Sequence, residues 1–171
     1  MNPLGNPEPL IRRVYAYVAY RLGDGPDAED VTSDAFERAL RYRSSYDSGK
    51  GPPAAWLVGI ARRAVDDHLA SRRPLPEPDL GERPAPGDLE ADAVRRIMLT
   101  AAVAKLDGRE QELVALRYGA DLTARQIGEL LDMRTNAVEV ALHRALARLR
   151  AELGEDAPAA LLRPATAPGR V

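Results

Sequence analysis

The stretch that most limits how this chain can fold is Leu122 to Arg150, LTARQIGELLDMRTNAVEVALHRALARLR, where apolar residues recur at helical period twice with only a brief break between. Thr123 can cap a first helix on which Ile127, Leu130 and Leu131 share one face, and Gly128 is small where a second helix would cross closely. Thr135 can cap that second helix. Its Val138, Ala141, Leu142, Ala145 and Leu149 fall on one side, and Asn136, Glu139, Val140, His143, Arg144 and Ala147 on the other. An apolar back packed on a partner and a polar front turned outward is the arrangement that enters a DNA major groove, so the stretch predicts a helix-turn-helix. Its turn carries Asp132 where a glycine is common; aspartate reaches the left-handed conformation at modest cost. Two amphipathic helices joined this way also occur as plain packing units, so the motif alone leaves DNA binding open.

The rest of the chain reads as helices too. Leu10, Val14, Val18 and Leu22, with Ile11 and Tyr15 beside them, predict a helix from Glu8 to Leu22 that stops at Gly23. A turn with Pro26 starts a second, with Val31, Ala35, Phe36, Ala39 and Tyr42 on its buried side to about Arg43, and with Glu29 and Asp30 where the helix dipole favours anions. After a loop from Ser44 to Pro53, Trp56, Leu57, Ile60, Ala61, Val65 and Leu69 stripe a third helix from about Ala54 to Arg72. Five prolines lie between Pro74 and Pro86, with Gly81 among them and Gly87 just after, which predicts a linker. Helices resume near Leu89, with Val94, Ile97, Met98 and Ala101 on one side, and another begins around Asp107 with Leu113, Val114 and Leu116. The Ala- and Pro-rich tail is expected to be disordered.

The fold class is therefore all-α: two small helical domains, residues 1–73 and 93–153, joined by an acidic Pro-rich linker, 74–92, with a tail, 154–171. The net charge of −2 conceals its distribution, since the four segments carry +1, −5 (the linker, with Glu77, Asp79, Glu82, Asp88 and Glu90), +2 and 0 in the order first domain, linker, second domain, tail. Neither helical block is basic enough to hold DNA tightly by counterion release alone. The absence of cysteine excludes disulfides and thiolate metal sites. No apolar run is long enough to span a membrane, and the start, MNPLGNPEPL, lacks a signal-peptide pattern, so a cytoplasmic location is expected. Asp66, Asp67 and His68 are adjacent on a helix and point about 100° apart, so they do not converge on one ion. No phosphate loop, nucleophile set or cofactor site is legible, and no catalysis is expected.

With these elements laid out, DAEDVTSDAFERAL (27–40) and AWLVGIARRAVDDHL (55–69), then LDGREQELVALRY (106–118) with the helix-turn-helix, resemble the two domains of a bacterial RNA polymerase sigma factor of the extracytoplasmic-function group. The resemblance covers roughly residues 8 to 153. It implies a protein that binds core RNA polymerase, places it at selected promoters and helps open the duplex, with an anti-sigma factor as a further partner. Glu29, Asp30, Ser33, Asp34 and Glu37 form an acidic strip beside the apolar side of the second helix, suited either to a basic partner surface or simply to solvent. By resemblance the partner surface is the clamp helices of the polymerase's largest subunit.

The loop from Ser44 and the start of the third helix correspond to the family's reader of the melted downstream element, where Tyr46 could stack on a base and Lys50, Arg62 and Arg63 could hold phosphates. Pro52, Pro53 and Arg63 depart from residues that relatives often carry there. Glu139, Val140 and Ala141 stand where relatives commonly carry a lysine, serine and arginine run, so the chemistry of that helix is read directly. Asn136 can pair with adenine, Glu139 can accept from cytosine, and Val140 can pack on a thymine methyl. Arg134, Arg144 and Arg148 are phosphate clamps, with Thr135 and His143 on the same face over the minus-35 element. Two other classes stay open: a stand-alone helix-turn-helix regulator, whose symmetric dimer would read two like half-sites, and an interaction protein that sequesters a partner.

Overall fold

The computed structural model describes residues 2–72 and 89–154. Most of the linker and the tail expected from the sequence, with Glu77, Asp79, Glu82 and Asp88, lie outside the described residues. Seven α-helices are found among the described residues: α1 Pro7–Leu22, α2 Pro26–Arg41, α3 Pro53–Ser71, α4 Leu89–Ala104, α5 Gly108–Val114, α6 Ala124–Leu131 and α7 Thr135–Leu153. Proline stands in the first turn of α1, α2 and α3, where its fixed φ suits the helix and its missing N–H costs nothing. The loop before α3 is built of two 3₁₀ turns, Arg43–Ser45 and Ser48–Lys50.

Val14, Tyr17 and Val18 of α1, Ala28, Val31, Ala35 and Ala39 of α2, and Leu57, Val58, Ala61, Ala64 and Val65 of α3 bury against one another. Small residues dominate the α2 side, which lets the helices approach closely. Two expected core positions are corrected. Tyr42 is 54% exposed because α2 ends at Arg41 and the chain turns there, and Leu69 is 40% exposed near the end of α3. Tyr17, absent from the expected stripe, is fully buried.

In the second block, α4 turns opposite to expectation. Ile97 and Met98 are exposed at 61% and 52%, and Ala101 is exposed, whereas Ala102, Val103 and Leu106 are buried against Val114, Ala145 and Leu149. Two apolar stripes compete on α4, and the one that meets α7 decides. Helix α5 opens with a capping box in which the Asp107 carboxylate accepts from the Glu110 amide and the Glu110 carboxylate from the Asp107 amide. It passes into a π-helical turn, Ala115–Gly119, closed by the Ala120 amide donating to the Ala115 carbonyl at 3.0 Å.

The two blocks share one core. Leu113, Ala115, Leu116, Ala120, Leu122, Ile127, Leu131, Val138 and Leu142 belong to the same buried cluster as the residues of α1, α2 and α3. The π-helical turn lies against α1 so closely that a Cβ on Gly119 would stand 2.8 Å from the Tyr17 amide nitrogen and 2.9 Å from the Ala16 carbonyl. Arg13 adds two bonds across the seam, from Nε to the Ala120 carbonyl at 2.7 Å and from Nη2 to the Asp121 carbonyl at 2.8 Å.

Candidate nucleic-acid interface

The helix-turn-helix is set by its turn. Thr123 Oγ1 accepts from the Gln126 amide and Gln126 Oε1 from the Thr123 amide, so α6 begins with a reciprocal cap. It ends at Asp132, with φ 54° and ψ 48°, the left-handed conformation that a glycine takes without strain. The Met133 amide then donates to the Gly128 carbonyl at 2.8 Å, and a Cβ on Gly128 would come within 2.5 Å of the Met133 carbonyl oxygen. Gly128 is thus small because the turn folds back over it. The cap expected of Thr135 is corrected: α7 begins at Thr135 itself, with Arg134 in the flanking position and no side-chain cap.

Helix α7 buries Val138, Leu142, Ala145 and Leu149 and presents the opposite face outward. Arg134, Thr135, Asn136, Glu139, Val140, His143, Arg144 and Arg148 are all exposed, Val140 at 51% although it is apolar. Arg148 donates to Glu110 Oε2 at 2.9 Å, which ties it to α5.

On the first block, the Asp47 carboxylate accepts from the Gly49 amide and so caps the second 3₁₀ turn. Tyr46 is half-buried, its hydroxyl donating to the Gly51 carbonyl at 3.1 Å and its ring edge-on to Trp56 with centroids 5.5 Å apart. Lys50 and Arg63 are exposed. Arg62 is not free: its Nε donates to Glu112 Oε1 of the other block. Arg21 Nη1 lies 3.7 Å from the same carboxylate oxygen, and Arg109 Nη1 lies 3.4 Å from the other. Burial opposes the Arg62 charge, the bond to Glu112 and the charges of Glu112 and Asp66 favour it, and the net direction of its pKa is upward. A cleft of about 220 Å³ runs between the two blocks, lined by Lys50, Trp56, Gln126, Glu129 and Leu130 among others. The Leu130 side chain would lie 3.3 Å from a Cβ on Gly59.

The acidic strip of α2 faces outward at Glu29, Asp30, Ser33 and Glu37, and the carboxylates of Glu29, Asp30 and Glu37 join no ion pair among the described residues. Asp34 is half-buried and bonded at 2.8 Å to Arg38, which also holds Asp67 of α3 at 2.6 Å. Among the described residues no group of three His, Asp or Glu side chains is arranged to hold a metal. Sequence reasoning missed Glu112, Arg21, Arg13 and Gly119. A carboxylate set in the apolar run that continues through Leu113, Val114, Ala115 and Leu116 was the available signal for the first.

Two family models match, described as Sigma-70 region 2 over residues 8–74 and Sigma-70, region 4 over residues 96–149. The ECF RNA polymerase sigma factor BldN of Streptomyces coelicolor is 33% identical over 151 residues, 84% of this chain and 57% of that protein; the chain thus spans little more than half its length. The ECF RNA polymerase sigma factor ShbA of Streptomyces griseus is 32% identical over 72% of this chain and 70% of its own length. The sigma factor RpoE from Bartonella quintana, solved with the anti-sigma factor NepR, superposes on 86% of this chain and 93% of its own with a TM-score of 0.68 at 18% identity. CnrH, solved with the cytosolic domain of CnrY, covers 86% of this chain and 82% of its own with a TM-score of 0.61 at 23% identity. At such identities the two structures speak for the fold alone.

Proposed function

The chain belongs to the extracytoplasmic-function (ECF) group of RNA polymerase sigma factors, and from that premise we propose that it docks on core RNA polymerase, places it at selected promoters and assists duplex opening. The observation that carries this reading is the outward face of α7, whose Asn136, Glu139, Val140 and His143 stand exposed above a buried apolar back and a left-handed turn. Residues 93–153 read the minus-35 element through that face, with Arg134, Thr135, Arg144 and Arg148 on the phosphates and sugars around it. Residues 1–73 bind polymerase through Glu29, Asp30, Ser33, Asp34 and Glu37 and take the melted strand with Tyr46, Lys50, Arg62 and Arg63. Residues 74–92 link the two. The chain acts in the cytoplasm as a specificity subunit, catalyses nothing itself, and is held in check by an anti-sigma factor. Support for that last partner is that RpoE was solved with the anti-sigma factor NepR and CnrH with the cytosolic domain of CnrY.

The test is reconstitution. Purified chain added to core polymerase should give transcription from a subset of promoter fragments and none without the chain. Transcription that ignores the chain, or tight palindromic binding by a dimer of the chain alone, would favour the stand-alone regulator instead.

A further inference from the structure

We propose that α7 reads the methylation state of cytosine in the minus-35 element, with Glu139 testing the N4 amino group and Val140 the C5 position. The inference rests on the assignment of the outward face of α7 to base edges in the major groove of that element. Between Thr135 and His143 the helix carries no lysine or arginine, so the cationic side chains that most often read guanine are missing from the centre of the face. Glu139 instead reads a G·C pair from its cytosine edge.

The Glu139 carboxylate is exposed and joins no ion pair among the described residues. An acceptor-only group turned toward a polyanion is held only where a donor meets it. Cytosine offers its N4–H without the N7 acceptor that lies beside the adenine amino group and would repel a carboxylate. In the duplex one N4 hydrogen pairs with guanine and the other faces the groove. A methyl group on N4 of the paired base takes the place of the second, which removes the donor and puts an apolar group against the carboxylate. Val140 lies about 100° further around the helix and is the one large apolar side chain that α7 leaves exposed, at 51%. It has no polar side-chain atom, so it tells thymine from cytosine by the C5 methyl alone. 5-Methylcytosine carries that methyl, and Val140 accepts it in the place of thymine. Two adjacent residues thus respond to two modifications in opposite senses: a methyl on N4 breaks the Glu139 contact, and a methyl on C5 creates a Val140 contact.

The test uses core polymerase carrying the full chain, with core alone as background. It selects from a duplex library randomised through the promoter region and amplified with dCTP, 5-methyl-dCTP or N4-methyl-dCTP. Selection by Glu139→Ala and by Val140→Ala from the unmodified library identifies the position that each side chain reads; both changes lie at exposed positions and favour the helix. With N4-methyl-dCTP, a cytosine preference of about tenfold at the Glu139 position should vanish, while the Val140 position keeps its thymine. With 5-methyl-dCTP the Glu139 position should be unchanged. At the Val140 position cytosine should then rise about fourfold, the worth of one buried methyl, and match thymine. Positions that relax in the two variants yet select the same bases from all three libraries would overturn the methyl reading and leave the minus-35 assignment standing. Should the chain add no preference over core alone, or should neither variant relax any position, the assignment of this face to base edges fails and the inference falls with it.

Discussion

Tyr17 sets the first prediction at the scale of single residues. Its ring is fully buried in the shared core while its hydroxyl finds no partner among the described residues, a desolvation that costs roughly 1–3 kcal/mol. Tyr17→Phe keeps the ring and removes the unmet group, so we expect it to stabilise the chain by about 1 kcal/mol in urea unfolding. Burial raises the Tyr17 pKa. Tyr15 is pushed up to about 12, by burial first and then by its hydrogen bond to Asp24. Above the ordinary tyrosine value of 10.0 the unfolded chain releases protons that the folded chain retains, so stability must fall as pH rises through this window. The alkaline slope of the unfolding free energy should be shallower in Tyr17→Phe; an identical slope would mean that this ring does not titrate with folding. Asp132 behaves in the opposite sense. It holds a left-handed conformation, so Asp132→Gly should stabilise by about 0.5–1 kcal/mol and Asp132→Val should destabilise by more than that.

At the scale of elements, α7 and α2 divide the recognition. Asn136→Ala or Glu139→Ala should relax preference at single positions of the upstream box, since each removes a base-edge contact. Arg144→Ala should weaken binding on every sequence and reduce the salt slope by about one unit. Arg148→Ala should do less, because Arg148 is already bonded to Glu110. Selection from a randomised box separates these outcomes, and equal preferences for wild type and both reader variants would refute the assignment. On α2, Asp30→Lys combined with Asp34→Lys should weaken core polymerase binding in a titration. Of the two, Asp30 should carry more of the effect, because Arg38 already engages Asp34. If the affinity holds, the acidic strip is only a solvated face.

For the whole molecule, the charge distribution governs how DNA is met. The second domain carries a net +2 and the first +1, too little for tight binding by counterion release. We expect the free chain to shift promoter duplex weakly at physiological salt and to become a specific binder once core polymerase holds both blocks. Two weak contacts then act together through effective concentration, with no new base contact. A mobility shift showing tight, specific binding by the chain alone would reject this.

The sequence by itself determined the helices, the turn and the division of faces on α7, because these follow from local periodicity, caps and the tolerance of aspartate for a left-handed backbone. Thr123, Gly128 and Asp132 were all legible for that reason, and so was the apolar back of α7. What lay beyond it was set by contacts between residues far apart in the chain. On α4 two apolar stripes compete, and packing on α7 chose Ala102 and Val103, with Leu106 just beyond the helix, over Ile97 and Met98. The π-helical turn, the buried Tyr17 and the Glu112 knot with Arg21 and Arg62 exist only because the second block lies on α1 and α3. Local pattern carries no information about a carboxylate that meets its guanidinium partner 50 residues away. That pairing is decided by the shared core, which buries Glu112, half-buries Arg62 and brings the two together.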